Sequence, residues 1–252
     1  MCSRCDYQEA GQPLNHLHRR SFLKASATIT AMAIVGAGAF SNIAYADALT
    51  KAQRDKLSPD EILALMKKGN KRFYSGRRED RDVLAQQRAS AKGQYPAAVL
   101  LTCIDSRAPA ETILDLRIGD IFNSRVAGNV ENPDILGSME FACKLAGAKI
   151  VLVMGHTACG AIKGAIDNAE LGNLTGLLAK IKPAVAATTY TGERTSKNYA
   201  FVDAVARKNV EITITDIRKD SPVLAEMESK GIIKIAGAMY NLETGVVDFF
   251  AA

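Results

Sequence analysis

Two short stretches of the chain hold residue types that bind metals and move protons: Cys103-Ile104-Asp105-Ser106-Arg107 and His156-Thr157-Ala158-Cys159-Gly160. Each follows directly on an apolar run with strand character, residues 97–102 and 150–154. One imidazole and two thiolates are donors that suit zinc, and three protein ligands leave a fourth position open for water, the arrangement of a catalytic rather than a structural site. Zinc lowers the pKa of bound water from about 16 to about 7, so that hydroxide exists near neutrality. Asp105 and Arg107 lie two positions apart in one loop and can pair, placing an oriented carboxylate beside the metal. Asp105 could instead be a fourth ligand, closing the site against water. The residues alone leave both arrangements open.

Taken singly these residues mean little. A lone cysteine after a strand is commonly a small buried hydrophobe, and an Asp-Ser-Arg loop is commonly a turn with a surface ion pair. Their joint occurrence at two strand ends is what indicates a site. Cys143 provides the contrast, since it falls on the apolar face of a helical stretch and reads as core.

The elements that must position the two loops are those of an α/β fold. Short apolar runs at 97–102, 121–126, 150–154 and 232–239 alternate with helical patterns, which implies a mainly parallel central sheet with helices on both faces. In such a sheet ligands bind beyond the strand C-termini, so loops distant in sequence can meet there. A turn at 241–245 followed by 246–250 predicts an antiparallel edge strand. Ser58-Pro59-Asp60-Glu61 predicts a helix start with a capping box, leading into a stripe of Ile62, Leu65, Met66 and Phe73. This extra N-terminal helix is expected to make a dimer contact. Residues 76–93 are polar and read as loop or exposed helix. Helices are also predicted at 132–145, 174–186, 197–219 and 222–228.

The beginning of the chain has another character. Arg19-Arg20-Ser21-Phe22-Leu23-Lys24, an apolar run over 25–40 and Ala44-Tyr45-Ala46 form an export signal with a cleavage site before Asp47. Its paired arginines resemble the twin-arginine type, read by the bacterial translocation machinery that carries folded proteins to the periplasm. The expected organisation is a cleavable signal over 1–46 and a single domain over 47–252. Removing the signal takes Cys2, Cys5, His16 and His18 with it, leaving His156 as the one histidine and an odd number of cysteines. That count argues against a disulfide framework. The 32 basic and 27 acidic residues are spread without a like-charge block, which gives no reason to expect nucleic-acid binding. No apolar stretch is long enough for a retained membrane span, so no stable membrane anchor is expected.

The pattern Cys-x-Asp-x-Arg, a gap of about fifty residues, then His-x-x-Cys-Gly resembles the beta-class carbonic anhydrases. The resemblance extends over most of residues 58–250, through Gly69-Asn70-Lys71-Arg72-Phe73, Arg125-Val126-Ala127-Gly128-Asn129 and Ser221-Pro222. It implies a homodimer or multiple of dimers that interconverts CO2 and bicarbonate, by attack of zinc-bound hydroxide on CO2. It also implies one zinc per chain on Cys103, His156 and Cys159, Asp105 and Arg107 as a catalytic dyad, and Gln94 donating to substrate from across the dimer. Phe122, Ala127, Phe141 and Gly160 would line the substrate pocket. Gln94, nine residues before Cys103, and the absence of tryptophan resemble the plant-like, open-site branch. Ala127 stands where valine is common, and Phe141 where plant-like members carry tyrosine. Two other functions fit the same residues: hydrolysis of a linear CO2 analogue such as CS2 or COS, and a non-catalytic zinc or thiol protein in which Cys103 and Cys159 oxidise to a disulfide.

Overall fold

The computed structural model describes residues 49–250, so the export signal expected over 1–46 lies outside the described residues. Five strands form one sheet in the order β2-β1-β3-β4-β5. They are β1 (Ala98–Thr102), β2 (Ile121–Arg125), β3 (Ile150–His156), β4 (Lys234–Tyr240) and β5 (Val247–Phe250). The first four are parallel and β5 returns antiparallel to β4, as the sequence predicts. β1 and β3 are buried at every position, as strands covered on both faces must be. β2 is the opposite edge, and its Asn123 and Arg125 are exposed.

Alternation along β1 and β3 sends side chains to two cores. Leu100, Leu152 and Met154 pack with Ile62 and Met66 of α2 (Pro59–Tyr74) and Ile113 of α4 (Ala110–Ile113). Val99, Leu101, Val151 and Val153 pack with Leu136 and Met139 of α5 (Pro133–Glu140) and with Val210, Ile214 and Ile217 of α8 (Tyr199–Asp220). Cys143 belongs to this second core, in a π-helical turn (Phe141–Leu145) that continues α5. Burial pushes its thiol up to about 12, which makes it inert. A third cluster, at the C-terminal end of β1 and β3, joins Cys103 and Cys159 to Phe201, Val202 and Val205 of α8, and to α6 (Gly160–Ile166) and α7 (Gly172–Ala187).

Sequence signals explain the start of α2. The Ser58 side chain accepts from the Glu61 amide while the Glu61 carboxylate accepts from the Ser58 amide, a reciprocal cap. The expected apolar stripe is met within the chain at Ile62 and Met66, each 2% exposed, while Leu65 is left 37% exposed. Two shorter helices, α1 (Lys51–Lys56) and α3 (Val83–Ser90), add turns where the sequence pattern is weak, and the 76–93 stretch is part helix, over 83–90, and otherwise turn and loop. The chain closes with α9 (Pro222–Ser229) ahead of β4, capped by Ser221. Among the described residues no helix is long and apolar enough to cross a membrane.

The Gly-Asn-x-Arg-Phe stretch has a structural role. A Cβ on Gly69 would stand 1.9 Å from the Leu114 carbonyl oxygen, so only glycine permits α2 to approach that turn. Buried Asn70 donates to the carbonyls of Ile113 (3.1 Å) and Gly245 (2.9 Å) and accepts from the Val247 amide (2.9 Å), tying α2 to both ends of the fold. Arg72 pairs with the buried carboxylate of Asp115 at 2.6 Å. Asn70→Ala leaves these three backbone groups unpaired, and a loss of about 3 kcal/mol is expected in urea unfolding. A loss below about 0.5 kcal/mol would mean that water replaces the amide without cost.

Candidate metal centre

The register of the sheet brings the two chemistry-bearing loops together. Thr102, the last residue of β1, is level with Met154 of β3, and β3 runs two residues further to His156. Cys103 therefore emerges beside the end of β3. β1 is followed in sequence by β2 on one side of it, and then by β3 on the other, so the site lies at the point where the winding of the sheet reverses.

Cys103, His156 and Cys159 are 4%, 1% and 1% exposed, and their ligating atoms all lie within 4.8 Å of one another. The sulfurs are 4.0 Å apart. Two thiolates held tetrahedrally at about 2.3 Å from zinc stand about 3.8 Å from each other, so the spacing suits that metal. The Nδ1 atom of His156 lies 2.9 Å from the Thr157 carbonyl oxygen, which can only accept, so Nδ1 carries the proton and Nε2 presents a lone pair. That Nε2 is buried without a hydrogen-bond partner. A buried imidazole nitrogen without a hydrogen-bond partner, grouped with two sulfurs, is a donor set that suits zinc.

The electrostatics favour a cation there. The Cys159 thiol donating to Cys103 lowers the latter to about 4 against the opposing effect of burial, helped by His156 and by the Gly128 amide 3.4 Å from the sulfur. The same sharing of a proton, with burial, holds Cys159 protonated and pushes it far up. Burial disfavours charge on His156, but the Cys103 sulfur and the Thr157 carbonyl outweigh it and the net shift is upward. A metal ion held by these residues would take the place of that proton and ionise both sulfurs.

Asp105 and Arg107 form a bidentate pair, Nε to Oδ1 at 2.9 Å and Nη2 to Oδ2 at 2.7 Å, with the Arg107 amide also donating to Oδ1 at 2.9 Å. Arg107 thereby holds the Asp105 carboxyl well below the usual range, so it remains ionised. Its Oδ2 is 3.7 Å from His156 Nε2. Arg125, at the end of β2, steadies this loop by donating to the carbonyls of Cys103 (3.0 Å) and Asp105 (2.6 Å).

The remaining predicted residues divide. Gly160 opens α6 directly after Cys159, and Ala127 begins the 3-10 turn whose Gly128 amide meets Cys103. Phe122 and Phe141 instead meet each other edge to face, with centroids 6.1 Å apart. Phe122 is level with Val99 near the start of β1 and packs in the α5 and α8 core, while Phe141 is 51% exposed. Gln94 precedes β1, at the opposite end of the strand from Cys103, so a single chain does not bring it to its own ligands. Sequence reasoning missed the roles of Arg125, of Asn209, which donates to the Gly128 carbonyl at 2.7 Å, and of Asp203, which accepts from the Ala158 amide at 2.8 Å. Arg125 stands in a stretch the sequence does single out. Nothing local marks Asp203 or Asn209, whose partners are 45 and 81 residues away.

The family model described as "Carbonic anhydrase" matches residues 98–247. The "Carbonic anhydrase 2" of Mycobacterium tuberculosis is 34% identical over 182 residues, which is 71% of this chain and 87% of that protein. A carbonic anhydrase of Mycolicibacterium smegmatis is 31% identical over 73% of this chain and 89% of its own length. Among solved structures, a beta-carbonic anhydrase of Aspergillus fumigatus superposes with a TM-score of 0.55 at 30% identity, covering 64% of this chain and 78% of that one. One of two tetrameric beta-carbonic anhydrases of Sordaria macrospora gives 0.57 at 25% identity, covering 64% and 84%.

Cobalt(II) titration tests the ligand set without reference to turnover. Thiolate-to-cobalt charge-transfer absorption is expected in the unaltered protein and in Cys143→Ser, and should fall sharply in Cys103→Ser and Cys159→Ser. Loss of the band in Cys143→Ser alone would assign the wrong thiols.

Proposed function

The chain belongs to the carbonic anhydrase family, in its beta class, and on that footing we propose that it catalyses reversible hydration of CO2 to bicarbonate and a proton at one zinc per chain. The observation that carries this reading is the convergence of two buried sulfurs and an unpartnered imidazole nitrogen within 4.8 Å, with an ionised carboxylate beside them. Cys103, His156 and Cys159 would hold the zinc, which when bound supplies a water acidic enough to give hydroxide near neutrality.

The chain's own residues do the rest. Arg107 engages both oxygens of Asp105, which supports the open arrangement of the plant-like branch, with the carboxylate outside the fourth ligand position. Asp105 accepts the hydrogen of the attacking water and so aims the oxygen lone pair at CO2. Ala127 and Gly160, small residues in the turns beside Cys103 and Cys159, leave room for a small substrate that offers no charge to recognise. Gln94, distant from the ligands of its own chain, donates to substrate in a partner subunit, and Phe122 and Phe141 complete the apolar wall in the assembled site. The working unit is thus a homodimer or a multiple of dimers. His156 is the only histidine among the described residues and is committed to the metal, so the product proton leaves through buffer or a carboxylate. Residues 1–46 act as a twin-arginine signal that delivers the folded protein to the bacterial periplasm.

Stopped-flow CO2 hydration with zinc quantified in the same sample tests the proposal. Turnover should persist below pH 8 and rise with buffer concentration, and Asp105→Asn should lower kcat/KM about 100-fold. Activity confined to pH above 8 would make Asp105 a resting ligand, and bound zinc without turnover at any pH would reject the activity.

A further inference from the structure

His156 and Cys159 are joined by only Thr157 and Ala158, and the conformation of those two residues sets how the imidazole and the second thiol face each other. Thr157 is held by backbone: its amide donates to the Tyr240 carbonyl at 2.9 Å, and its hydroxyl accepts from the Leu242 amide at 3.0 Å. Ala158 is different. Its φ of +54° lies in the left-handed region, which an alanine Cβ disfavours. Such a residue persists only where its surroundings fix it. The group that does so is the carboxylate of Asp203, on the first turns of α8, whose Oδ1 accepts the Ala158 amide at 2.8 Å. Asp203 is anchored by its neighbours: Phe201, Val202 and Val205 are buried in the cluster that contains both ligand cysteines. A rigid helix thus reaches across to the one strained peptide between two ligands.

We propose that Asp203 is a positioning residue for the metal centre, holding Ala158 in its left-handed conformation and so pre-setting the separation of His156 and Cys159 that a metal requires. It acts through the turn and is not itself a ligand. The inference rests on the metal-site reading above, but its measurement is metal affinity, which is independent of CO2 turnover.

The test is zinc affinity of the full-length protein by competition with a chromophoric chelator, alongside the cobalt(II) spectrum, for Asp203→Ala, Asp203→Asn, Ala158→Gly and Asp203→Ala combined with Ala158→Gly. Loss of a group that orients a ligand typically costs 10-fold to 100-fold in metal affinity, and Asp203→Ala is expected within that range, with an altered cobalt ligand-field band. Asp203→Asn keeps an oxygen acceptor and should stay within about threefold of the unaltered protein. Glycine adopts positive φ freely, so Ala158→Gly should recover most of the affinity that Asp203→Ala loses. A merely structural Asp203 would not be rescued from the turn. Affinity unchanged in Asp203→Ala, or equally weakened with and without Ala158→Gly, overturns the proposal. Should Asp203→Ala fail to fold, an Asn variant as weak as the ligand mutants overturns it, and near-normal binding by that variant supports it. An unaltered protein that binds no zinc would remove the metal-site reading itself.

Discussion

The parallel pairing of β1 with β3 is the constraint on which the site depends. Cys103 and Cys159 are 56 residues apart, and only the alignment of Thr102 with Met154 places the loops that carry them side by side. A shift of β3 by one residue would turn His156 to the other face of the sheet, because side chains alternate. That shift is resisted along the whole strand. Val151 and Val153 are packed against α5 and α8, and Leu152 and Met154 against α2 and α4, so a slip would exchange the two cores. The candidate metal site therefore takes its register from hydrophobic packing that has no chemistry of its own.

That packing also creates the site's electrostatic demand. Two thiols and an imidazole, each 4% exposed or less, give up contact with water, and burying polar groups costs free energy unless partners replace it. In the folded chain the Cys103 and Cys159 sulfurs lie 4.0 Å apart, the Gly128 amide is turned to Cys103, and one imidazole nitrogen of His156 has no hydrogen-bond partner. A dication would satisfy the two sulfurs and the imidazole at once, and would thereby link metal binding to the stability of this end of the sheet. Asp105 is kept apart from this demand by Arg107, which uses both carboxylate oxygens. The exposed arginine and the nearly buried carboxylate divide the labour: one faces solvent and the other faces the ligands.

How much of this was legible in the sequence follows from the range of the interactions. The strands, the cap of α2 and the antiparallel return of β5 are local patterns, and each occurs where the sequence predicts it. The trio Cys103, His156 and Cys159 was legible because its residue types are rare in the chain and stand at strand ends. The short α1, α3 and α4 have little apolar periodicity and are fixed by contacts made elsewhere, as Gln86 of α3 is by the Ile118 amide. Asp203 and Asn209 were illegible for a sharper reason. Each acts on the backbone of another loop, and a backbone group leaves no residue type in the sequence to search for. The left-handed Ala158 is hidden in the same way, since alanine is not the residue that advertises a positive φ.

The chain's site is also one-sided. On one flank Cys103, Gly128, Asp105 and Cys159 are knit together by bonds within the chain, whereas Gln94 lies at the far end of β1 and Phe141 stands half exposed beyond α5. A neutral, linear substrate is recognised by shape and dryness, and neither is supplied by an open flank. If those residues take part, a second chain must carry them to the metal, and the exposed Ile104 and Leu145, at 60% and 76%, are the kind of surface that such an assembly covers. The division is physically reasonable. Ligand geometry needs tolerances set by a single rigid sheet, while an apolar wall can be assembled from a partner, because dispersion and exclusion of water tolerate small displacements that metal coordination does not.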